Sequence, residues 1–216
     1  MMKTVKIIEI YNSVLGESTF SGLPATIIRF AGCNLRCKWC DSKFTYTRGY
    51  KYFMNDIISI VRKQKHNFVL ITGGEPLFQR NAKSLIRKLL RSNKHVIVET
   101  NGSFLIPRLN SEKISWIIDI KTPSSGMHKH LNLENLINSR KFDEIKCVIS
   151  NKEDFDYAIK KIKLIKKVPP SSILFSTVFG EMEAKELSSL LLHSKLNYRL
   201  QLQIHKIIWQ PDERKV

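Results

Sequence analysis

The 216-residue chain lacks any apolar run that approaches the roughly 18 residues needed to span a membrane. Its N-terminal apolar stretch is too short for the hydrophobic region of a signal peptide, and Glu9 interrupts it. The chain also has no low-complexity linker and no charge block that would mark a domain boundary. We therefore expect a cytoplasmic protein in which residues 1–216 form a single domain.

Acidic residues are scarce, since 19 Asp and Glu stand against 36 Lys and Arg, which gives a net charge of +17. Such an excess of positive charge can indicate a nucleic-acid-binding protein. The lysines are spread along the whole chain, however, and no basic stripe is interleaved with aromatic residues. Nucleic-acid binding is therefore the minor interpretation, and a basic surface that attracts anionic substrates explains the charge as well.

Cysteine is rare, but three of the four cysteines fall within one short segment. Cys33, Cys37 and Cys40 have the spacing C-x3-C-x2-C. A disulfide framework is typical of secreted chains with an even number of paired cysteines. Three thiols clustered in one segment of a cytosolic chain indicate a metal site instead. Three thiolates from one loop can hold three irons of a cubane and leave the fourth iron open to another ligand. Cys147 stands apart and is interpreted as a small buried hydrophobic residue.

A zinc site is the alternative interpretation of the three cysteines. Structural zinc is normally closed by four ligands, often in two separated pairs, so this loop would need one more. Three residues are candidates for that fourth ligand: His66, His95 and Cys147.

Apolar, β-branched runs alternate with stretches of helical period along the chain, which predicts parallel βα units. The predicted strands are residues 5–10, 25–30, 68–71, 95–99, 116–120, 144–149, 173–178 and 199–204. Leu85, Ile86 and Leu89 share one helical face between two of them. Eight full units usually need about 250 residues. The sequence therefore predicts an α/β fold in the form of an incomplete or irregular (β/α) barrel.

Polar and glycine-rich motifs follow three of the predicted strands directly. They are residues 72–76, 99–102 and 121–126. Because the carboxyl ends of barrel strands face the active site, these motifs are expected to converge on one rim.

The cysteine loop resembles the signature of the radical S-adenosylmethionine (SAM) superfamily. Gly73-Gly74-Glu75-Pro76 resembles the GGEP motif of the same superfamily, although four such residues alone are a common turn sequence. The resemblance implies a barrel of the radical SAM type with a [4Fe–4S] cluster on Cys33, Cys37 and Cys40. It also implies that SAM chelates the open iron.

Four segments narrow the resemblance to the 7-carboxy-7-deazaguanine synthase family. The first comprises residues 9–18 with Gly22, Pro24 and residues 29–36, and the others are residues 40–42, 119–127 and 202–211. The resemblance implies a radical SAM lyase that converts 6-carboxy-5,6,7,8-tetrahydropterin to 7-carboxy-7-deazaguanine plus ammonia by radical ring contraction, on the route to queuosine and other 7-deazapurines. It also implies catalytic use of SAM, a helper Mg²⁺, a homodimer, and an electron donor such as flavodoxin or ferredoxin.

The family also implies roles for particular residues. Substrate contacts would come from Val14, Leu15, Gly16, Arg29, Thr72, His205 and Pro211. SAM contacts would come from Gly74, Glu75, Glu99, Asn101, Lys121, Ser124 and Ser125. Ser42 would supply a hydroxyl to Mg²⁺, which prefers oxygen ligands. Arg29 is suited to the substrate carboxylate, because a guanidinium pairs with a carboxylate in bidentate fashion.

The chain departs from the family pattern at three places. Leu15 stands where a Gln is common, and Ser18 stands where a Gly is common. Some family members end at a proline whose terminal carboxylate meets the substrate, but this chain continues after Pro211 with Asp-Glu-Arg-Lys-Val. That carboxylate role therefore does not carry over to Pro211.

Two other functions remain open from the sequence. A glycyl-radical-enzyme activase is a short radical SAM protein with the same cysteine spacing, but it would not require the Arg29 segment or the loop at 121–126. A non-catalytic Fe–S or zinc module that binds nucleic acid rests on the net charge alone.

Overall fold

The computed structural model describes residues 3–210 and 213–215. The strands in these residues are β1 (Thr4–Val14), β2 (Pro24–Phe30), β3 (Tyr50–Phe53), β4 (Phe68–Gly73), β5 (His95–Thr100), β6 (Ile114–Ile120), β7 (Glu144–Ile149), β8 (Ile173–Thr177) and β9 (Arg199–Leu200). Their helices are α1 (Met54–Lys63), α2 (Ala82–Arg91), α3 (Leu133–Ile137), α4 (Lys152–Ile162), α5 (Ala184–Ser194) and α6 (His205–Ile208). In this part of the chain, no helix has the length and apolar character of a membrane span.

All these strands join one sheet in the order β3-β1-β2-β4-β5-β6-β7-β8-β9. From β2 to β9 every neighbouring pair is parallel, whereas β1 runs antiparallel to both β2 and β3. The edge strands β3 and β9 do not pair with each other, so the barrel stays open. The prediction of an incomplete (β/α) barrel is confirmed.

The predicted strands all exist, but the bounds of β1 and β9 differ from the prediction by four residues at one end, the bounds of most other strands differ by one or two residues, and one strand was not predicted. β1 continues to Val14 because it pairs with β2 along its whole second half. The prediction for residues 199–204 is wrong beyond Leu200, because β8 offers only two partners and the chain then turns into α6. The sequence analysis missed β3, a four-residue edge strand whose Tyr50 is largely exposed and therefore gives no burial pattern.

The two faces of the sheet bury different sets of residues, because side chains alternate along a strand. The outer face packs against the apolar faces of the helices. Ile28, Ile71 and Val98 lie there with Ile57 of α1 and Leu89 of α2. The inner face has a smaller apolar layer, made of Leu15, Ala25, Ile27, Leu70, Ile97 and Ile117.

A polar layer lies directly above this inner apolar layer. Two positions beyond Ile27, Leu70, Ile97 and Ile117, the strands carry Arg29, Thr72, Glu99 and Asp119, and β7 adds Lys146. A shift of two residues keeps a side chain on the same face of a strand, so these polar groups point to the inside of the barrel. All five line a single cavity at the carboxyl end of the sheet. The alternation that builds the core therefore also positions the site.

The outer core gives the first testable prediction. Leu89 is fully buried in α2, whereas Leu192 of α5 is 79% exposed. We expect Leu89→Ala to lower the free energy of unfolding by about 2–5 kcal/mol, through lost burial and the cavity left behind. Leu192→Ala is the matched control and should change it by less than about 0.5 kcal/mol. Urea unfolding of the two variants measures this, and equal losses would contradict the assignment of the core.

Candidate active site

The cavity has a volume of about 660 Å³ and lies among the carboxyl ends of the parallel strands. Its walls come from the end of β1, the strand ends of β2 and of β4 to β8, the cysteine loop, and the segments after β8 and β9. A volume of this size is typical of sites for small molecules and cofactors. The motifs predicted to converge on one rim contribute to this wall.

The cysteine loop forms one side of the cavity. Cys33, Cys37 and Cys40 all line it and are partly exposed. The loop is fixed to the turn after β4, because the Glu75 N–H donates to the Gly32 carbonyl at 2.9 Å. This approach requires glycine at position 74: a Cβ there would lie 2.1 Å from the Gly32 carbonyl oxygen. The glycine pair of the GGEP motif therefore serves the cysteine loop as well as the cavity wall.

The opposite side of the cysteine loop rests on the turn at residues 122–126. The Lys38 N–H donates to the Ser125 carbonyl at 3.1 Å, and Trp39 Nε1 donates to Ser124 Oγ at 3.3 Å. Ser124 is itself held by hydrogen bonds to Asp154. Neither serine lines the cavity, so the structure places both behind the loop that they support.

The thiols fit an iron–sulfur cluster better than zinc. Within residues 3–210 and 213–215, no three Cys, His, Asp or Glu side chains are gathered closely enough to share one metal ion. A zinc site needs such gathering, whereas a cubane places each thiolate on a different iron. The three candidates for a fourth zinc ligand do not line the cavity. Instead, His95 packs against Phe20 and Phe68, and Cys147 is fully buried in the outer core.

Glu75 lies behind the cavity wall and clamps two strand ends together. Its buried carboxylate accepts hydrogen bonds from the N–H of Leu77 at 2.9 Å, Thr100 Oγ1 at 2.9 Å and the N–H of Asn101 at 2.7 Å. Burial raises the pKa of Glu75 to about 6, although the hydrogen bonds act in the opposite direction. Gly74 and Asn101 line the cavity, but Glu75 does not. A direct contact between Glu75 and SAM stays a prediction.

Two buried ion pairs stand among the inner polar groups. Lys121 Nζ lies 2.7 Å from Asp119, and Lys146 Nζ lies 2.6 Å from Glu17. Burial alone would raise the pKa of Glu17, but Lys146 lowers it to about 2. Burial alone would lower the pKa of Lys121, but Asp119 holds it above its usual value. The cavity therefore keeps fixed charges, which bind polar ligands well because they need no reorganisation.

Arg29 lines the cavity but is already engaged by the protein. Its Nε donates to Glu9 Oε1 at 2.8 Å, and its Nη2 donates to Tyr11 Oη at 2.8 Å. This side of the guanidinium is therefore occupied, and a bidentate pair with a substrate through that side is not available. Thr72 also lines the cavity and donates to Glu99, which stands at the next strand end.

Val14, Leu15 and Gly16 reach the cavity through the end of β1 and the residues after it. The Leu15 side chain is only 1% exposed and packs in the inner apolar layer, so only its backbone can face a ligand. Gly16 contacts His205 closely, because a Cβ on Gly16 would lie 2.0 Å from His205 Nδ1. His205 thus enters the site from the start of α6, and Pro211 lies outside the described residues.

Ser42 lines the cavity next to the cysteine loop. Its hydroxyl donates to the Asp41 carboxylate at 3.0 Å. A hydroxyl beside a carboxylate is an oxygen donor set that suits Mg²⁺ with water or substrate oxygens as further ligands.

The sequence analysis did not assign roles to Glu9, Tyr11, Glu17 and Lys146, which all line the cavity. The signal for Lys146 was present, since it alternates with the buried Ile145 and Cys147 of β7. The other three lie on and just after β1, and only the antiparallel pairing of this strand with β2 brings them to the site.

An open (β/α) barrel with three thiols of one loop beside a glycine turn at its carboxyl rim defines a radical SAM enzyme. The sequence model of the radical SAM superfamily matches residues 27–187. The 7-carboxy-7-deazaguanine synthase of Koribacter versatilis is 35% identical over 98% of this chain and 100% of its own length. The protein of the same name from Thermoplasma acidophilum is 34% identical over 94% of this chain and 96% of its own. The chain belongs to the 7-carboxy-7-deazaguanine synthase family of the radical SAM superfamily.

A solved structure supports the fold separately. The crystal structure of QueE from Escherichia coli matches with a TM-score of 0.74 at 20% identity, over 92% of this chain and 93% of that one. At this identity the match concerns the shared open barrel.

The glycine turn beside the cysteine loop gives a prediction about cluster binding. Gly74→Ala would place a methyl group against the Gly32 carbonyl and push the loop away. We expect cluster affinity to fall roughly 10-fold to 100-fold, as for other changes to groups that orient metal ligands. Iron and sulfide content after anaerobic reconstitution measures this. Ser189→Ala in α5 is the control, because it also introduces an alanine but at an exposed position outside the cavity wall. Normal loading of Gly74→Ala would contradict the role of this contact.

The raised pKa of Glu75 gives a prediction about stability and pH. The folded chain holds the Glu75 proton up to about pH 6, whereas the ordinary value is 4.5. The stabilising effect of this proton is therefore complete below about pH 4.5 and is lost as the pH rises through about 6. Relative to Glu75→Gln, the wild type should lose about 2 kcal/mol of unfolding free energy between pH 4.5 and pH 7. Urea unfolding of both proteins at the two pH values provides the test. A difference that is independent of pH would show that Glu75 titrates normally.

Proposed function

We propose that this chain converts 6-carboxy-5,6,7,8-tetrahydropterin to 7-carboxy-7-deazaguanine and ammonia, as a radical SAM lyase of queuosine and related 7-deazapurine biosynthesis. One observation carries the proposal. Relatives named 7-carboxy-7-deazaguanine synthase match the chain over nearly its full length. The segments shared with that family meet in one cavity.

The cysteine loop would hold the [4Fe–4S] cluster through Cys33, Cys37 and Cys40. When bound, the cluster would supply the electron for reductive cleavage of SAM. The protein contributes orientation, fixed charge and exclusion of water. Trp39 and Lys121 lie beside the loop, with Lys121 Nζ 5.1 Å from the Trp39 ring centroid. Burial raises the pKa of the Cys37 thiol, and the positive charge of Lys121 opposes this rise in favour of the thiolate form that iron requires.

The predicted SAM residues divide into two groups by position. Gly74, Glu99, Asn101 and Lys121 line the cavity and would contact SAM directly. Glu75, Ser124 and Ser125 lie behind the wall and would hold the contacting residues in place. Two contacts of Asn101 with the cysteine loop fit this arrangement, since its Nδ2 lies 3.8 Å from Cys33 Sγ and donates to Asn34 Oδ1 at 3.1 Å.

The substrate would lie between the end of β1 and the strand ends of β2 and β4. Val14, Leu15 and Gly16 would present backbone groups to the pterin edge, while Thr72 and His205 would contact it from two other sides. Arg29 and a Mg²⁺ held near Ser42 would neutralise the substrate carboxylate. These oxygen and cationic groups lie on the same cavity wall as Phe44, a ring suited to the apolar edge of the substrate.

The partners follow from the same proposal. A radical SAM enzyme needs a one-electron donor, and the net charge of +17 favours an acidic carrier such as flavodoxin or ferredoxin. We propose a homodimer in the cytoplasm, without a membrane or nucleic-acid partner. A glycyl-radical-enzyme activase would act on a large protein, whereas the two relatives described above are named 7-carboxy-7-deazaguanine synthase.

The proposal is tested by an anaerobic mass-spectrometric assay. Reconstituted protein is mixed with SAM, a reductant, Mg²⁺ and 6-carboxytetrahydropterin. We expect a product lighter than the substrate by ammonia, formed in excess over the SAM consumed. Untouched pterin together with accumulating 5′-deoxyadenosine would retain radical SAM chemistry but reject this substrate.

A pair of cysteine variants makes the assay specific. Cys37→Ala should abolish product and lower the iron content, because one iron loses its ligand. Cys147→Ala should retain both, since Cys147 lies in the outer core away from the cavity. Equal activity of the two variants would contradict the assignment of the cluster.

A further inference from the structure

The sulfur of Cys33 accepts two hydrogen bonds from nitrogen. The backbone N–H of Leu35 donates to Cys33 Sγ at 3.4 Å, and the side-chain Nδ2 of Asn101 donates to it at 3.8 Å. In the part of the chain that the structure describes, the sulfurs of Cys37 and Cys40 accept no hydrogen bond from a nitrogen. Cys33 therefore differs from the other two thiols, although the spacing of the cysteines gives no reason to expect a difference.

The orientation of the Asn101 amide is fixed by the hydrogen bonds that its oxygen accepts. Asn101 Oδ1 accepts from the Ser103 N–H at 3.0 Å and from Ser103 Oγ at 2.6 Å. The reverse orientation would bring Nδ2 against the Ser103 N–H, so that one donor would face another. The N–H groups of the amide therefore point toward the cysteine loop.

Three side chains close a ring of hydrogen bonds beside Cys33. Asn101 Nδ2 donates to Asn34 Oδ1 at 3.1 Å, Asn34 Nδ2 donates to Ser103 Oγ at 2.9 Å, and Ser103 Oγ donates back to Asn101 Oδ1. The ring uses one of the two hydrogens on Asn101 Nδ2, and the second hydrogen is the one that reaches Cys33 Sγ. Hydrogen bonds linked in this way polarise and strengthen one another.

Asn101 is also held by its backbone and by burial. Its N–H donates to the buried Glu75 carboxylate at 2.7 Å, and the residue is only 8% exposed. The Glu75 N–H in turn donates to Gly32, next to Cys33 in the chain. The donor and the sulfur are therefore fixed to one turn, and their contact lies where water has little access.

We propose that Asn101 is a positioning residue that raises the reduction potential of the [4Fe–4S] cluster through Cys33. An N–H that points at a thiolate withdraws electron density from the sulfur and stabilises the reduced cluster, which carries one more negative charge. A higher potential makes reduction by a one-electron donor easier. This inference rests on the proposed cluster ligands and does not depend on the identity of the substrate. It is also separate from a contact with SAM, because both Nδ2 hydrogens are engaged by the protein itself.

The test is an anaerobic redox titration of the reconstituted protein without SAM, in which electron paramagnetic resonance follows the reduced cluster. It compares the wild type with Asn101→Leu, Asn101→Ala and Ser103→Ala. Asn101→Leu removes the donor at similar side-chain volume. Ser103→Ala is the matched control, because it takes a side chain out of the same ring but leaves Asn101 Nδ2 beside Cys33. Iron and sulfide content verifies that each variant holds a complete cluster.

We expect Asn101→Leu to make the reduced cluster roughly 10-fold less favoured at a fixed applied potential, which is a shift of about 59 mV for one electron. Asn101→Ala should shift the potential in the same direction by less, because water can enter the space and donate to the sulfur. Ser103→Ala should keep the wild-type potential, because the Ser103 N–H still orients the amide.

Other results contradict the inference. An unchanged potential in both Asn101 variants would show that the amide does not act on the cluster, and the proposed function would still stand. An equal shift in Ser103→Ala would show that the ring is only a structural support. If Asn101→Leu takes up no iron, the potential of Asn101→Ala decides between these results. A wild type that binds no four-iron cluster would reject this inference and the proposed function together.

Discussion

The close contact between the cysteine loop and the glycine turn after β4 is the constraint on which the rest of the site depends. Gly74 approaches the Gly32 carbonyl so closely that no side chain fits between them, and the next N–H closes the contact with a hydrogen bond. Glu75 then extends the contact to the end of β5 through Thr100 and Asn101. One short motif thus fixes the thiols relative to two neighbouring strand ends. The placement of the three thiols therefore depends on backbone packing between the cysteine loop and this turn.

The inner face of the sheet divides the barrel into two levels with different roles. The lower level is a small apolar layer that holds the strands together, and Leu15 belongs to it. The upper level is polar and faces the cavity, although its groups come from the same strands two positions further on. Leu15, which stands where a Gln is common in the family, therefore adds its side chain to the apolar layer below the cavity. The backbone groups of Leu15 remain available to a ligand. The apolar layer below the charged groups lowers the local dielectric constant, which strengthens the electrostatic interactions among these groups.

Most of the charge in the cavity is held as pairs. Asp119 with Lys121 and Glu17 with Lys146 form buried ion pairs, in which each partner offsets the cost of burying the other. Such pairs contribute little net stability, so their value lies in orientation and in a fixed electrostatic field. Glu9 differs from them, since it faces two arginines.

The sequence by itself determined the strand–helix alternation, the open barrel, and the loop of three thiols. These features are local or periodic, because a strand repeats every two residues and the cysteine spacing lies within eight positions. Only the tertiary structure decided which side of the wall each motif residue occupies. Glu75 and Ser124 lie behind the cavity although their neighbours line it, and Arg29 is engaged by partners from β1. The return of Arg214 to Glu9, across 205 positions of sequence, depends on how the last segment packs over the barrel. Contacts of this kind have no local pattern, because they arise from burial and charge pairing between elements that meet only in the folded chain.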